Sequence, residues 1–271
     1  MAEIIIFIFS GIFIGIAAGL FGLGGGLVIV PVVTYCLVYF SNTPFDQAII
    51  IGISTSLASM VITGAMAAYA HSKNNNVDHR IIKRFFPGLI LGSIAIGFFI
   101  KSFPGDLLKY FFIFYTFAIA YKLFKHQEVL KKNTLPSRLL SNVISFIFSI
   151  ISGIVGIGGA TLFVPFLIKN NIPPKLAIGT SSVLGFFIGL SASIAIYVGY
   201  LYSGLNDQLT FGFIYTPAIL FLTLPSLIFI KLSAGWLLKL DDLLIKRLFG
   251  LLLIIIGIMT VSYTHLRAHE T

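Results

Sequence analysis

Apolar runs of membrane-spanning length alternate with short polar loops along this chain, and two of the runs are cut by glycine clusters. Ordinary runs lie at roughly 47–70, 85–100, 106–121, 176–200, 211–230 and 243–262. Each approaches the ~20 apolar residues that an α-helix needs to cross a hydrocarbon core of ~30 Å. Segments 4–40 and 139–168 are different. As one helix the second would be about 45 Å long, too much for one span and too little for two.

The cut in the first segment reads Gly19-Leu20-Phe21-Gly22-Leu23-Gly24-Gly25-Gly26-Leu27-Val28-Ile29-Val30-Pro31. The second reads Gly153-Ile154-Val155-Gly156-Ile157-Gly158-Gly159-Ala160-Thr161-Leu162-Phe163-Val164-Pro165. Other segments repeat too. Gly52-Ile53-Ser54-Thr55-Ser56 answers Ala177-Ile178-Gly179-Thr180-Ser181, Ile100 to Lys109 answers Ile230 to Lys239, and Pro87 answers Pro217. The expected organisation is one membrane domain with a first repeat at 1–128, a basic cytoplasmic linker at 129–138, and a second repeat at 139–263. The tail 264–271 is unlike the rest; a non-native scar is one reading, and its residues carry no weight.

Backbone that leaves a helix inside lipid must be sheltered by protein or face water. Glycine-broken apolar segments in matching positions of two halves point to a transporter's binding site. Pro31 and Pro165 suit the first turn of a new helix, where proline gives up no needed donor. The expected shape is therefore a re-entrant hairpin in each half. Loop charge supports it. With two re-entrant segments, the lysines and arginines sort fifteen to one side and three to the other; with eight full spans they sort ten against eight. Only the first is a positive-inside pattern. The fold class expected is all-α and integral to the membrane, with each half a broken hairpin plus three spans and the halves inverted. Eight spans with parallel halves is the alternative.

Composition agrees. The chain is 58% hydrophobic and 10% charged, against roughly 25% charged in soluble domains. Cys36, a lone cysteine, allows no internal disulfide. The net charge of +9 does not imply nucleic acid, since cytoplasmic loops of membrane proteins collect lysine and arginine. A cleavable signal peptide is not expected, because no basic region precedes 4–20 and Glu3 is acidic. The localisation expected is multi-pass in a bacterial inner membrane. The partners expected are the lipid bilayer and a small anion, with a homo-oligomer left open.

All acidic residues and histidines, His71 among them, lie in loops, at span ends or in the tail. No paired ligands or buried base are visible for a metalloprotease or a serine hydrolase. No catalytic residue, metal or cofactor is expected. Neutral groups remain at depth. Gly24, Gly25 and Gly26, with Gly158, Gly159 and Ala160, can leave N–H groups free before a short helix. Such N–H groups and the helix dipole favour an anion. Ser54, Thr55 and Ser56, with Ser59 and Thr63, form a polar stripe answered by Gly179, Thr180, Ser181 and Ser182. Asn142, Ser145, Ser149 and Ser152 form another. Hydroxyls bonded back to their own helices and glycines used only for packing (Gly11, Gly15, Gly19; Gly88, Gly92; Gly185, Gly189) are the plainer readings. A dinucleotide loop at Gly22-x-Gly24 lacks its strand–helix setting.

The doubled glycine motif and the Gly-Thr-Ser at 179–181 resemble the TauE/SafE sulfite exporter family of membrane permeases. The resemblance covers about 4–262. It implies movement of sulfite, sulfoacetate or related sulfur-containing anions. Two departures stand out: Ser54 replaces the first-half glycine of Gly-Thr-Ser, and Ala160 replaces the third glycine of the second motif. The expected function is alternating-access transport of a small anion. A passive anion channel and a non-transporting assembly subunit are the alternatives.

Overall fold

The computed structural model describes residues 2–22, 24–124, 135–202, 213–241, 243–245, 247, 248, 250, 251 and 254. Most of the predicted span 243–262, linker residues 129–134 and the tail 264–271 lie outside the described residues. The elements are α1 (Ala2–Phe21), α2 (Gly26–Phe40), α3 (Phe45–Lys73), α4 (His79–Phe99) with a short 3₁₀ turn (Ile100–Ser102), α5 (Gly105–Phe124), α6 (Arg138–Val155), α7 (Ala160–Lys169), α8 (Pro174–Leu201) and α9 (Thr216–Leu237). Among the described residues, six helices are long and apolar enough to cross a membrane: α1, α3, α4, α6, α8 and α9. Helices α2 and α7, at 15 and 10 residues, are shorter. Each broken segment thus pairs one helix of spanning length with one that is too short.

The prolines are corrected by this geometry. Pro31 and Pro165 are each the sixth residue of their helix, beyond its first turn. Both helices already begin at the glycines, so each proline deprives a carbonyl one turn back, that of Leu27 or Thr161, of its helical donor.

The long helices α3 and α8 cross at the centre. Leu57 and Met60 meet Gly189, and Gly64 meets Phe186, so the two run antiparallel. On one flank α1 lies along α9, with Gly11 against Leu222, Gly15 against Ser226 and Gly19 against Ser233. On the other flank α4 lies along α6, with Gly88 against Asn142 and Gly92 against Phe146. Both flanking pairs run parallel, and each joins a helix before residue 128 to one after 138. Glycine at these crossings lets the backbones approach closely, as small residues do between membrane helices. The serines of α6 face inward: Ser141, Ser145, Ser149 and Ser152 are wholly buried, while Leu139, Val143 and Ile147 are exposed. Edge-to-face packing of Phe85 and Phe148 on Phe163 and Phe166 fills the space between α4, α6 and α7. Exposed Phe9, Leu91, Phe114, Leu224 and Ile228 suit a surface that faces acyl chains.

Loops gather by charge. Thr180 meets the backbone at Asp78, Asn74 reaches the Ala234 carbonyl, and the Lys175 ammonium donates to the Leu238 carbonyl. Arg84 bonds Ser141. The basic stretches 71–84, 135–138, 169–175 and 231–241 therefore share one end of the molecule. The loop before α5 is at the other end, where Gly105 abuts Asp46 at the start of α3. His71 lies in the last turn of α3, as expected for a span end, but is wholly buried.

These crossings generate a prediction. A Cβ on Gly88 collides with the Asn142 carbonyl, whereas one on Gly235 meets nothing within 4 Å. Gly88→Ala should cost about 1–3 kcal/mol as overpacking does, and Gly235→Ala should be neutral or slightly stabilising. Unfolding midpoints of the two purified variants in detergent check this.

Candidate functional site

Helices α1 and α6 end by the same device in two forms. Gly22, at φ 69°, donates its N–H to Ala18 at 2.8 Å, the one-bond left-handed cap. Gly156, at φ 68°, donates to the Gly153 carbonyl, and Ile157 donates to Ser152 at 2.9 Å. That is the two-bond Schellman closure. In the first motif Gly24 and Gly25 are left-handed as well, at φ 63° and 86°. An L-residue with a Cβ is strained there, so the glycine run is needed for the shape. In the second motif Gly159 is already helical at φ −55°, and Ala160 opens α7. Gly26 has no latitude for a Cβ, because one there collides with the Gly156 carbonyl.

The two turns therefore touch. Both are buried, and both lead into helices without a side-chain cap. Helices α4 and α6 do have caps, from Asp78 and Ser137. At α2 the Gly25 carbonyl takes the N–H groups of Val28 and Ile29; at α7 the Gly159 carbonyl takes those of Leu162 and Phe163. Among the described residues, the N–H groups of Gly25, Gly26 and Leu27, and of Gly158, Gly159 and Ala160, have no backbone acceptor. Buried main-chain donors are almost always paired, so such a cluster asks for a ligand or water.

Helices α3 and α8 form the walls. On α3, Ile53 and Ser56 meet the second turn, with Ser56 Oγ donating to the Gly156 carbonyl at 2.6 Å. One to two turns further along, Met60 packs on Gly24 and Thr63 Oγ1 donates to the Gly24 carbonyl at 2.7 Å. On α8, Ile178 and Ser182 meet Gly22, and Gly185 faces Gly158 and Gly159. Each wall thus touches both turns. The walls differ where it matters: Met60 fills the space at the first turn, whereas a Cβ on Gly185 would stop 3.6 Å from the Gly159 nitrogen, at ordinary contact distance. Tyr115 of α5 adds a hydrogen bond to Thr161 in the first turn of α7.

The structure brings together Gly24, Gly25, Gly26, Ser56, Gly158, Gly159 and Ala160. It places three of the other expected residues elsewhere. Thr55 Oγ1 accepts from the Tyr215 N–H at 2.8 Å, and Thr180 Oγ1 accepts from the Asp78 N–H at 2.9 Å. Tyr215 and Asp78 precede α9 and α4, so each hydroxyl holds the start of a helix across the residue-128 boundary. Gly179 packs against the Asn76 backbone beside them. Ser54 and Ser181 are wholly buried and, among the described residues, their hydroxyls have no hydrogen-bond partner, as is true of Ser149 and Ser152 in α6. Met60, Gly185 and Tyr115 were missed. The helical spacing from Ser56 to Met60, and from Ser182 to Gly185, could have signalled two of them; nothing local marks Tyr115. Among the described residues no three His, Cys, Asp or Glu side chains come together as a metal cage. Chemically, the site offers N–H donors and hydroxyls in a buried surround where, among the described residues, no charged side chain meets the turns.

With six membrane-capable helices among the described residues and two glycine-broken segments, this is a multi-pass membrane protein of the transporter class. The chain matches the model of the sulfite exporter TauE/SafE family over residues 7–260 and belongs to that family. It is 33% identical over 259 residues to a probable membrane transporter protein of Haemophilus influenzae, covering 94% of this chain and 97% of that one. A probable membrane transporter protein of Methanocaldococcus jannaschii is 25% identical over 235 residues, 83% of each chain. A sulfite exporter TauE/SafE family protein of Arabidopsis thaliana shares 40% identity over 50 residues, 18% of this chain and 12% of that one. No solved structure matches.

The two threonine contacts predict a structural phenotype. Thr55→Val and Thr180→Val each leave a helix-start N–H without its acceptor. Each should lower stability by about 1–3 kcal/mol, with serine restoring most of the loss. Thermal unfolding in detergent reads the effect, and uptake per folded molecule should stay near normal.

Proposed function

We propose that this membrane transporter carries a small oxyanion, sulfite or an organosulfur anion such as a sulfonate, across a bacterial inner membrane. The anion is held by the uncapped N–H groups at the starts of α2 and α7. One observation carries the reading: two buried glycine turns meet between α3 and α8, and among the described residues the N–H groups at their helix starts have no backbone acceptor. Donors at a helix start favour negative charge. Because, among the described residues, no lysine or arginine meets the turns, the anion can leave as readily as it arrives. The sulfur-containing substrate is supported by the family to which the chain belongs. The reading includes no catalytic step and no cofactor.

Alternating access follows from the halves, taken as 1–128 and 139–263. Inversion is supported by the antiparallel crossing of α3 with α8, the counterparts in the two repeats. Re-entrant hairpins are supported by two further facts. Gly24 lies against Met60 and Gly159 against Ile188, near the midpoints of α3 and α8. The basic loops also gather at one end, as the fifteen-to-three sorting requires. Rocking one half against the other around a fixed centre is the motion such repeats allow.

The decisive variants are at Gly185. Replacing Gly25 would strain a φ of 86° and press on Ile14, so a loss of flux there would report folding as much as binding. At Gly185 a single Cβ fits. Gly185→Ala should keep its unfolding midpoint and much of its transport. Gly185→Met, which copies the residue at the matching place of α3, should cut sulfite or sulfoacetate uptake into proteoliposomes, counted per folded molecule, by roughly tenfold or more, the scale of losing hydrogen bonds to a charged ligand. Full uptake by well-folded Gly185→Met would move the site away from the second turn. A thermal-shift panel of sulfite, sulfate, sulfoacetate, taurine and carboxylates identifies the ligand, since an anion bound only to the folded form raises the midpoint.

A further inference from the structure

At the basic end, between the first turns of α4 and α6, lies a pocket of about 640 Å³ lined by Arg80, Lys83, Arg84, Pro87, Arg138 and Asn142. Its volume is within the range of small-molecule sites, roughly 300–1,000 Å³. Among the described residues no carboxylate lines it. Asp78, nearby in sequence, turns its Oδ1 to the N–H groups of Arg80 and Ile81 at the start of α4. Arg84 is half-buried, and its Nε donates to Ser141 Oγ at 3.1 Å; Ser141 Oγ in turn donates to the Pro136 carbonyl. This fixes one edge of the guanidinium and leaves its other N–H groups for a ligand. Asn142 accepts from the Gly88 N–H through Oδ1 at 3.2 Å, so its NH₂ remains as a further donor.

The side chains around the pocket thus offer cations and donors. Membrane topology alone accounts for basic residues in cytoplasmic loops, but it does not require them around a cavity or one held half-buried by a serine. The helix crossing does not require them either. On the corresponding α1–α9 crossing, Ile4 and Ile8 stand where α6 has Arg138 and Asn142, and Phe213 and Ile214 stand where α4 has Lys83 and Arg84.

We propose that this pocket is a second anion site, distinct from the glycine turns, that binds a tetrahedral oxyanion of the phosphate or sulfate type between α4 and α6. Guanidinium forks and ammonium groups match such oxyanions. The group comes either from an acidic phospholipid headgroup at the membrane surface or from a soluble anion, and the chemistry of recognition is the same. Bound there, it bridges an element before residue 128 to one after 138.

The test uses the full chain in nanodiscs. In one arm the discs are neutral phosphatidylcholine and sodium sulfate is titrated against chloride at constant ionic strength. In the other, phosphatidylglycerol replaces part of the neutral lipid and no sulfate is added. The unfolding midpoint is read in wild type, in the pocket variant Lys83→Gln/Arg138→Gln, and in the control Lys101→Gln/Lys169→Gln, which loses the same charge elsewhere on the surface. All four side chains are exposed, so folding should survive. A saturable rise with sulfate assigns a soluble anion; a rise only with phosphatidylglycerol assigns a headgroup. Either rise should need roughly tenfold more anion in the pocket variant, the scale of losing charged hydrogen bonds, and remain unchanged in the control. No rise in either arm, or an equal loss in pocket variant and control, overturns the proposal. Sulfate held only at the glycine turns would also give equal responses in the two variants, so the two sites are told apart.

Discussion

Unpaired main chain inside a membrane is the constraint on which this architecture rests. Every N–H and C=O that leaves a helix there must find a partner within the protein, a ligand or water. Both glycine turns are enclosed accordingly. The carbonyls of Gly24 and Gly156 are taken by Thr63 and Ser56, and the ends of α1 and α6 are closed by left-handed glycine caps. Among the described residues, the donors at the starts of α2 and α7 have no backbone acceptor. Two turn carbonyls bonded to hydroxyls beside helix-start amides with no backbone acceptor make an electrostatic polarity from neutral atoms, and that polarity is what the proposed anion site rests on.

The same constraint explains how the two parts of the chain hold each other. Helix starts inside a membrane protein need acceptors that are not their own, and the threonines supply them. Thr55 serves the start of α9 and Thr180 the start of α4. Close glycine crossings run alongside, α1 on α9 and α4 on α6. In each broken segment the long helix packs on a helix from the other part of the chain and the short one on α3 or α8 of its own, so each turn is held from both parts.

Several elements were legible beforehand for physical reasons. Apolar runs long enough for lipid mark α3, α4 and α8 with little ambiguity, and the two glycine clusters mark where a helix breaks because glycine alone takes left-handed backbone freely, as Gly22, Gly24, Gly25 and Gly156 do. The prolines misled, since a proline tolerated one turn inside a helix looks the same in sequence as one at its start. The hydroxyls were harder. Thr55 and Ser56 are neighbours on one helix, yet one supports a distant helix start and the other a turn. A helix rotates adjacent residues by about 100°, so which side each serves depends on neighbours that the local sequence does not name.

Hydrophobic length, charge distribution and the doubled glycine motif were enough to establish a membrane protein with two breaks, because lipid imposes these terms on any chain regardless of its fold. Which glycine turns and which already belongs to a helix, which hydroxyl faces the turns, and why a Cβ fits at Gly185 where Met60 packs on the other turn were decided only by tertiary structure. Those outcomes depend on atoms brought together from segments a hundred or more residues apart, and no local pattern encodes that approach.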